Sequence, residues 1–458
     1  MHTWLPDLIY VDGRFQSERA LVCGNDGKVL EIIEAGEVPN AVRLKGRALL
    51  PGLVNAHSHA FQRVIRGRTE HRSQNKTDSF WTWREQMYSA ANRLDAEEIY
   101  AASRMAFLEM ALTGITAVGE FHYIHHSPDG SAYSDPNLLE REVIRAARDV
   151  GIRIALLRVA YARAGYEIEA NPLQVRFIEA SPEIYLNNLE ALLGAPELKD
   201  GTVWIGVAPH SVRAVPLDYL KQIVAFANER ALPVHMHVAE QPAEVSACIE
   251  EYGRSPVALL ETEGLLSNRF TAVHAIHVTP KAIAAMARYG ALVCACPTTE
   301  RNLGDGVVPV DNYLDAGVRV ALGTDSQIQI DLLEDARELE YHLRLQHTAR
   351  NVLAPHDDGD HAALARRLFD CATVNGAKSI GFGGGKLETG APADFFTVDL
   401  DDPSIAGSST DDLLANIVFS LSRAAVRDVV VAGKQIVENG RHRDQEMIVE
   451  TFKNISRR

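Results

Sequence analysis

Four short stretches concentrate the side chains that hold metals and move protons. PGLVNAHSHAF carries His57 and His59, PVHMHVAE carries His235, His237 and Glu240, VHAIHV carries His274 and His277, and LGTDS carries Asp325. Alternate residues of a strand point to one side, so His57 and His59 aim two imidazoles at one cation. Three imidazoles and one carboxylate, from His57, His59, His237 and Asp325, suit a borderline divalent ion, foremost Zn2+, at one per chain. Such a site supplies a water nucleophile, and a hydrolysis that expels an amine also needs a proton for the leaving nitrogen. Glu240, three residues past His237, is the candidate shuttle for that proton. His274 is the candidate hydrogen-bond partner of the attacking water, and Asp325 doubles as acceptor of the water's proton. His235 is expected to face inward beside His237 in a supporting role. His277 is out of phase with His274 and reads as structural.

These residues need strands to carry them. Apolar runs at 49–59, 116–123, 153–160, 203–210, 233–240, 270–278, 292–299 and 319–326 alternate with longer amphipathic stretches. One of these, DAEEIYAASRMAFLEMALTG, repeats its apolar residues every three to four positions, with Asp95 and Glu98 as a start signal and Gly114 as a stop. Eight strands with interposed helices predict a (β/α)8 TIM barrel, with a doubly wound sheet as the competitor, and the polar residues above fall at its active face. The flanks carry short β-rich pieces punctuated by Gly and Asp. We therefore expect a small β-sandwich domain assembled from residues 1–49 and 385–458, around a catalytic barrel of residues 50–384. The long connection at about 60–94 contains QNKTDSFWTWREQMYS, whose Phe80, Trp81 and Trp83 predict an ordered lid.

The chain has 458 residues, 46% of them hydrophobic, and a formal charge of −15. Such a chain buries a large core, and its acidity argues against nucleic acid or an anionic membrane as partner. Five cysteines form no disulfide framework and suit a reducing compartment. No basic-plus-apolar leader opens the chain and no apolar run reaches membrane-spanning length, so a cytoplasmic protein is expected. Cys294 and Cys296 read as buried packing, and His122, His125 and His126 as a solvated loop.

The four motifs, in this order, resemble the amidohydrolase superfamily, and GKLETGAPADFFTVD and VRDVVVAGKQIVENG resemble its C-terminal strands. Dinuclear members carry a carboxylated lysine on strand four; here that strand ends Ala208-Pro209-His210 without one. A histidine followed three residues later by glutamate is instead the pattern of the mononuclear deaminase branch. The resemblance implies hydrolysis that releases ammonia from an amine-bearing carbon. Arg84 in the lid and Arg213 after strand four would be costly to desolvate without an anionic ligand, and their planar forks suit carboxylates. The pairing of EFHY after strand two with APHSVRA after strand four is most similar to the branch acting on N-formimidoyl-L-glutamate. That resemblance implies that Gln62, Arg84, Tyr123, His210 and Arg213 hold the glutamate part. The alternative is deamination of an adenosine-like aminoheterocycle, with the lid aromatics stacking on the ring. The expected partners are a small anionic substrate and a second copy of the chain in a homodimer.

Overall fold

The structure, a computed structural model, describes residues 2–36, 40–72, 78–169, 171–356 and 359–456. Residues 73–77 of the expected lid lie outside the described residues.

Eight parallel strands form one sheet in chain order: Leu53–Ser58, Ile115–His122, Arg153–Ala160, Val203–Pro209, Val234–Val238, Phe270–His274, Leu292–Ala295 and Val320–Leu322. All but one of their residues are buried, as strands covered on both faces must be. The backbone beside the histidine pair closes the ring. Asp325 N–H donates to His57 O at 3.0 Å, and His59 N–H donates to Asp325 O at 3.0 Å. Three of the four side chains expected to share one ion, His57, His59 and Asp325, thus sit on the seam where the last strand meets the first.

Six of the eight expected strands are shorter than their apolar runs, and for two the cause is local. The run at 49–59 divides at Gly52: Val42–Pro51 belongs to the other sheet and only Leu53–Ser58 to the barrel. A Cβ on Gly52 would lie 2.2 Å from Thr116 Oγ1, so glycine alone fits the crossing. The run at 292–299 stops at Ala295 because Pro297 opens the helix Pro297–Leu303.

The second sheet has nine strands, drawn from both flanks. The chain ends meet where Phe395–Asp399 pairs antiparallel with Val42–Pro51. This sheet keeps a separate core that includes Trp4, Leu21, Leu44, Phe395 and Val430, with Trp4 edge-on to Phe395 at 5.3 Å. A bidentate pair fastens it to the barrel: Arg153 Nε and Nη2 donate to Asp394 at 2.6 and 3.0 Å. The expected boundary at 49/50 falls inside Val42–Pro51, and the helices Leu413–Ser420 and Gln445–Ser456 lie beyond residue 385.

Helix Ala96–Leu112 begins as its sequence predicts, Asp95 accepting from Glu98 N–H at 2.8 Å. The lid connection carries a 3-10 turn, Ala60–Ile65, and a helix, Phe80–Ala91. Buried Arg176 ties down the end of that helix, donating to the carbonyls of Ala91, Leu94 and His126. The His122–His126 segment corrects an expectation, because it is not solvated. His125 is fully buried between Glu140 Oε1 at 2.7 Å and Val159 O at 2.9 Å, and His122 is buried as well. Beside them Arg158 donates to both oxygens of Glu179 at 2.6 and 2.9 Å, so the segment belongs to a buried charge network. Among the described residues no helix is long and apolar enough to cross a membrane.

Candidate metal centre and active site

His57, His59, His237 and Asp325 converge at the C-terminal ends of strands one, five and eight, all buried, with one donor atom from each within 4.8 Å of the others. His57 Nε2 and His59 Nε2 are 3.1 Å apart, and Asp325 Oδ1 lies 3.4 and 3.2 Å from them. Donors sharing one tetrahedral zinc at about 2.0–2.1 Å stand about 3.3 Å from each other, so the group fits a single ion. The remaining ring nitrogens set the tautomers. His59 Nδ1 donates to Phe121 O at 2.9 Å and His237 Nδ1 to His210 O at 3.2 Å, which leaves each Nε2 lone pair facing the centre. Burial pushes the His57 imidazole down to about 3 and holds His237 well below its ordinary value. Burial opposes charge on Asp325 too, but hydrogen bonds with His57 and His59 and the charge of His274 outweigh it, holding the carboxyl well below its usual range. Neutral imidazoles and an ionised carboxylate are the states in which these groups bind metal.

The backbone here is strained. Ala239, His274, Ala275, Asp325 and Gln327 have φ of 50°, 67°, 50°, 47° and 62°, in the left-handed region that non-glycine residues avoid. Side chains lock the Asp325 turn. Asn55 Nδ2 donates to Thr324 Oγ1 at 2.8 Å, Gln327 Nε2 to Ser58 Oγ at 2.8 Å, and Arg66 Nε to Gln327 O at 2.5 Å.

Beside the ligand group, Glu240 Oε1 stands 3.6 Å from His274 Nε2, which is 3.7 Å from Asp325 Oδ2. Burial pushes the Glu240 carboxyl up to about 7 against the pull of His274, a value suited to taking and returning a proton near neutrality. Burial works against charge on His274, yet Glu240, Glu300 and Asp325 outweigh it and hold its pKa well above the ordinary value.

A pocket opens onto these groups, walled by Gln62, Arg84, Tyr123, His210 and Arg213 together with Trp83, Met87, Tyr88, Tyr161 and Leu303. Gln62 Nε2 donates to Tyr123 OH at 3.0 Å. Arg213 Nη1 donates to Ala164 O at 3.1 Å and contacts Tyr161 OH at 3.5 Å. The Arg84 guanidinium lies over Trp81, 4.4 Å from the ring centre, and its Nε and Nη1 are buried without a hydrogen-bond partner. Among the described residues neither arginine hydrogen-bonds a carboxylate, so the pocket carries two cationic forks open to an anion.

The sequence profile of the amidohydrolase family matches residues 48–436, spanning the barrel and every group just described. The chain belongs to the amidohydrolase family. It is 40% identical to formimidoylglutamate deiminase of Pseudomonas aeruginosa over 428 residues, covering 93% of this chain and 92% of that protein. It is 30% identical to 5-methylthioadenosine/S-adenosylhomocysteine deaminase of Halobacterium salinarum over 439 residues, covering 93% and 90% respectively. Among solved structures, an amidohydrolase from Brucella melitensis superposes with a TM-score of 0.91 at 34% identity, covering 100% of this chain and 99% of that one.

Within this amidohydrolase, three expected features fall outside the pocket. His235 does not reach the ligand group: its Nε2 donates to Ser379 O at 2.9 Å, in a fully buried link to helix Val374–Ser379. His277 donates to Asp305 O at 3.0 Å, and Cys294 and Cys296 are free, buried thiols. Two pocket tyrosines escaped sequence reasoning although both left a signal. Tyr161 directly follows strand three, a position that faces the active end of a barrel. Tyr88 lies four residues after Arg84 on the lid helix and so shares its face. Gln174, which donates to the hydroxyls of Tyr88 and Tyr161 at 2.9 and 2.5 Å, left no signal, because it comes from a separate connection.

Proposed function

We propose that this chain is a metal-dependent hydrolase that converts N-formimidoyl-L-glutamate and water to N-formyl-L-glutamate and ammonia. The reading rests on one observation above all: two arginine forks without carboxylate partners beside a deaminase-type group of His57, His59, His237 and Asp325. Its relative of 40% identity carries that activity by name. The aminoheterocycle deaminases match at lower identity, and Trp81, which could stack on a heterocycle, already lies against Arg84.

Arg84 and Arg213 neutralise the substrate's two carboxylates, with Gln62, Tyr123 and His210 donating around them. This places the formimidoyl carbon beside His274 and Glu240. Zn2+ is the ion that three imidazoles and a carboxylate suit, and when bound it lowers the pKa of a coordinated water toward neutrality. Asp325 and His274 would hold the attacking water against the formimidoyl carbon. Glu240 takes one proton from the water and delivers it to the terminal nitrogen of the tetrahedral carbon. Asp325 takes the second, from the hydroxyl of that carbon, and it passes to the same nitrogen through Glu240. The bond to that nitrogen breaks, ammonia leaves, and the carbon keeps the water oxygen as a formyl group. A cytoplasmic setting and a homodimer complete the reading.

The test is a product assay on metal-analysed protein. Ammonia with N-formylglutamate supports the reading, whereas formamide with glutamate, or ammonia only from aminoheterocycles, rejects it.

A further inference from the structure

His274 ends strand six in a conformation that leaves its ring direction to its neighbours. Its φ is +67° and that of Ala275 is +50°. An imidazole turned over about its Cβ–Cγ bond occupies nearly the same volume but puts a ring carbon where each nitrogen stood, so packing alone does not choose between the orientations. A hydrogen bond does choose. His274 Nδ1 lies 3.1 Å from Glu300 Oε1, and the same oxygen accepts from Cys296 N–H at 2.8 Å. Glu300 is only 2% exposed and sits in the short helix that Pro297 starts, its own N–H bonded to Cys296 O at 2.9 Å. The carboxylate is therefore fixed by backbone before it meets the ring.

His274, Cys296 and Glu300 also form a second close group of metal-capable donors. Their geometry is that of a hydrogen-bond relay, since Oε1 already receives both the ring and the Cys296 amide.

We propose that Glu300 is a positioning residue: it keeps a proton on Nδ1 of His274 and so turns Nε2 toward Glu240 and Asp325, where water attacks and the nitrogen leaves. This rests on the hydrolytic reading above, to which it adds the element that sets the orientation of His274. Glu300 touches neither the pocket nor the proposed substrate. Its effect must then appear in turnover rather than in binding.

The test compares wild-type holoenzyme with E300Q and E300A. Expected for E300A are unchanged metal content, a KM within about threefold of wild type, and a kcat lower by about 100-fold, within the range of one general acid–base contribution. E300Q keeps an acceptor oxygen without its charge and should lie between the two, at about a tenfold loss. A proton resonance far downfield, from Nδ1–H against a carboxylate, should be present in wild type, shifted upfield in E300Q and absent in E300A. Wild-type kcat in E300Q, or a downfield signal that survives both substitutions, overturns the proposal. If E300A does not fold, isosteric E300Q carries both readouts. A wild-type enzyme that releases no ammonia from formimidoylglutamate removes the functional reading instead, while the resonance still decides the Glu300–His274 contact.

Discussion

The guanidinium of Arg84 lies over the Trp81 ring, 4.4 Å from its centre, while two of its nitrogens stay buried and unpaired. The stack fixes a long, flexible cation without satisfying its hydrogen bonds, which leaves the fork for a ligand. Replacing Arg84 or Arg213 by Ala should raise KM for formimidoylglutamate by about 10–100-fold, the worth of one charge-assisted hydrogen bond, with a smaller change in kcat. Arg84→Lys should restore little, because an ammonium lacks the planar fork. Steady-state kinetics decide it; an unchanged KM in both alanine variants would sink the carboxylate assignment.

Glu240 has the position and the raised pKa of a proton shuttle. Glu240→Gln should keep its metal and lose about 1,000-fold or more in kcat, since the amide neither takes nor returns the proton. Metal analysis alongside initial rates tests this, and near-normal turnover would remove Glu240 from the mechanism.

Removing the metal should abolish activity and lower the melting temperature. Three imidazoles and a carboxylate are left crowded around an empty centre, and a ligand at a thousandfold excess over its Kd stabilises the folded state by about 4 kcal/mol. Adding back Zn2+ to chelator-treated protein should recover both quantities. Full activity in protein stripped of metal would contradict the proposed chemistry.

The buried network around Arg158 predicts a pH effect of definite sign. Burial opposes charge on Glu179, but Arg158 outweighs it and holds the carboxyl at about 2, against an ordinary 4.5. A depressed carboxylate stabilises the fold above its unfolded pKa, and that contribution fades as pH falls from about 4.5 toward 2. Glu179→Ala should cost about 3–5 kcal/mol at pH 7, because it strands part of a buried guanidinium. Denaturant midpoints measured across pH check both the size and the slope.

Asp370 predicts the opposite slope. Burial raises its carboxyl from 3.8 to about 6, with Arg366 only partly offsetting it. The folded state therefore holds this proton more tightly, and stability present below about pH 4 is lost as pH rises through about 6. Asp370→Asn should flatten the melting temperature over that window and exceed wild type at pH 8. A variant that melts below wild type at pH 8 would contradict it.

Much of this architecture is written locally. The Asp95–Glu98 cap, the alternation of strands and helices and the HxH and HxxE spacings each depend on neighbours a few positions apart, so they survive as patterns. The division of 49–59 does not. Both halves are apolar, and what separates them is Thr116, which leaves no space for a side chain at Gly52. His125 misled for the same reason: its polar surroundings in the chain say loop, whereas Glu140 and Val159, distant in sequence, bury it.

The sequence by itself determined the donor types and their order along the chain, because metal ligation and proton transfer demand particular side chains at strand-end spacing. Only the tertiary structure decided that His57 and His59 meet Asp325 across the barrel seam, that Tyr88 and Tyr161, bridged by Gln174, share a wall with two arginines, and that Glu300 aims His274. Those relationships join residues up to 268 positions apart, as His57 and Asp325 show. Closure of the barrel brings such residues together, and no local pattern encodes that contact.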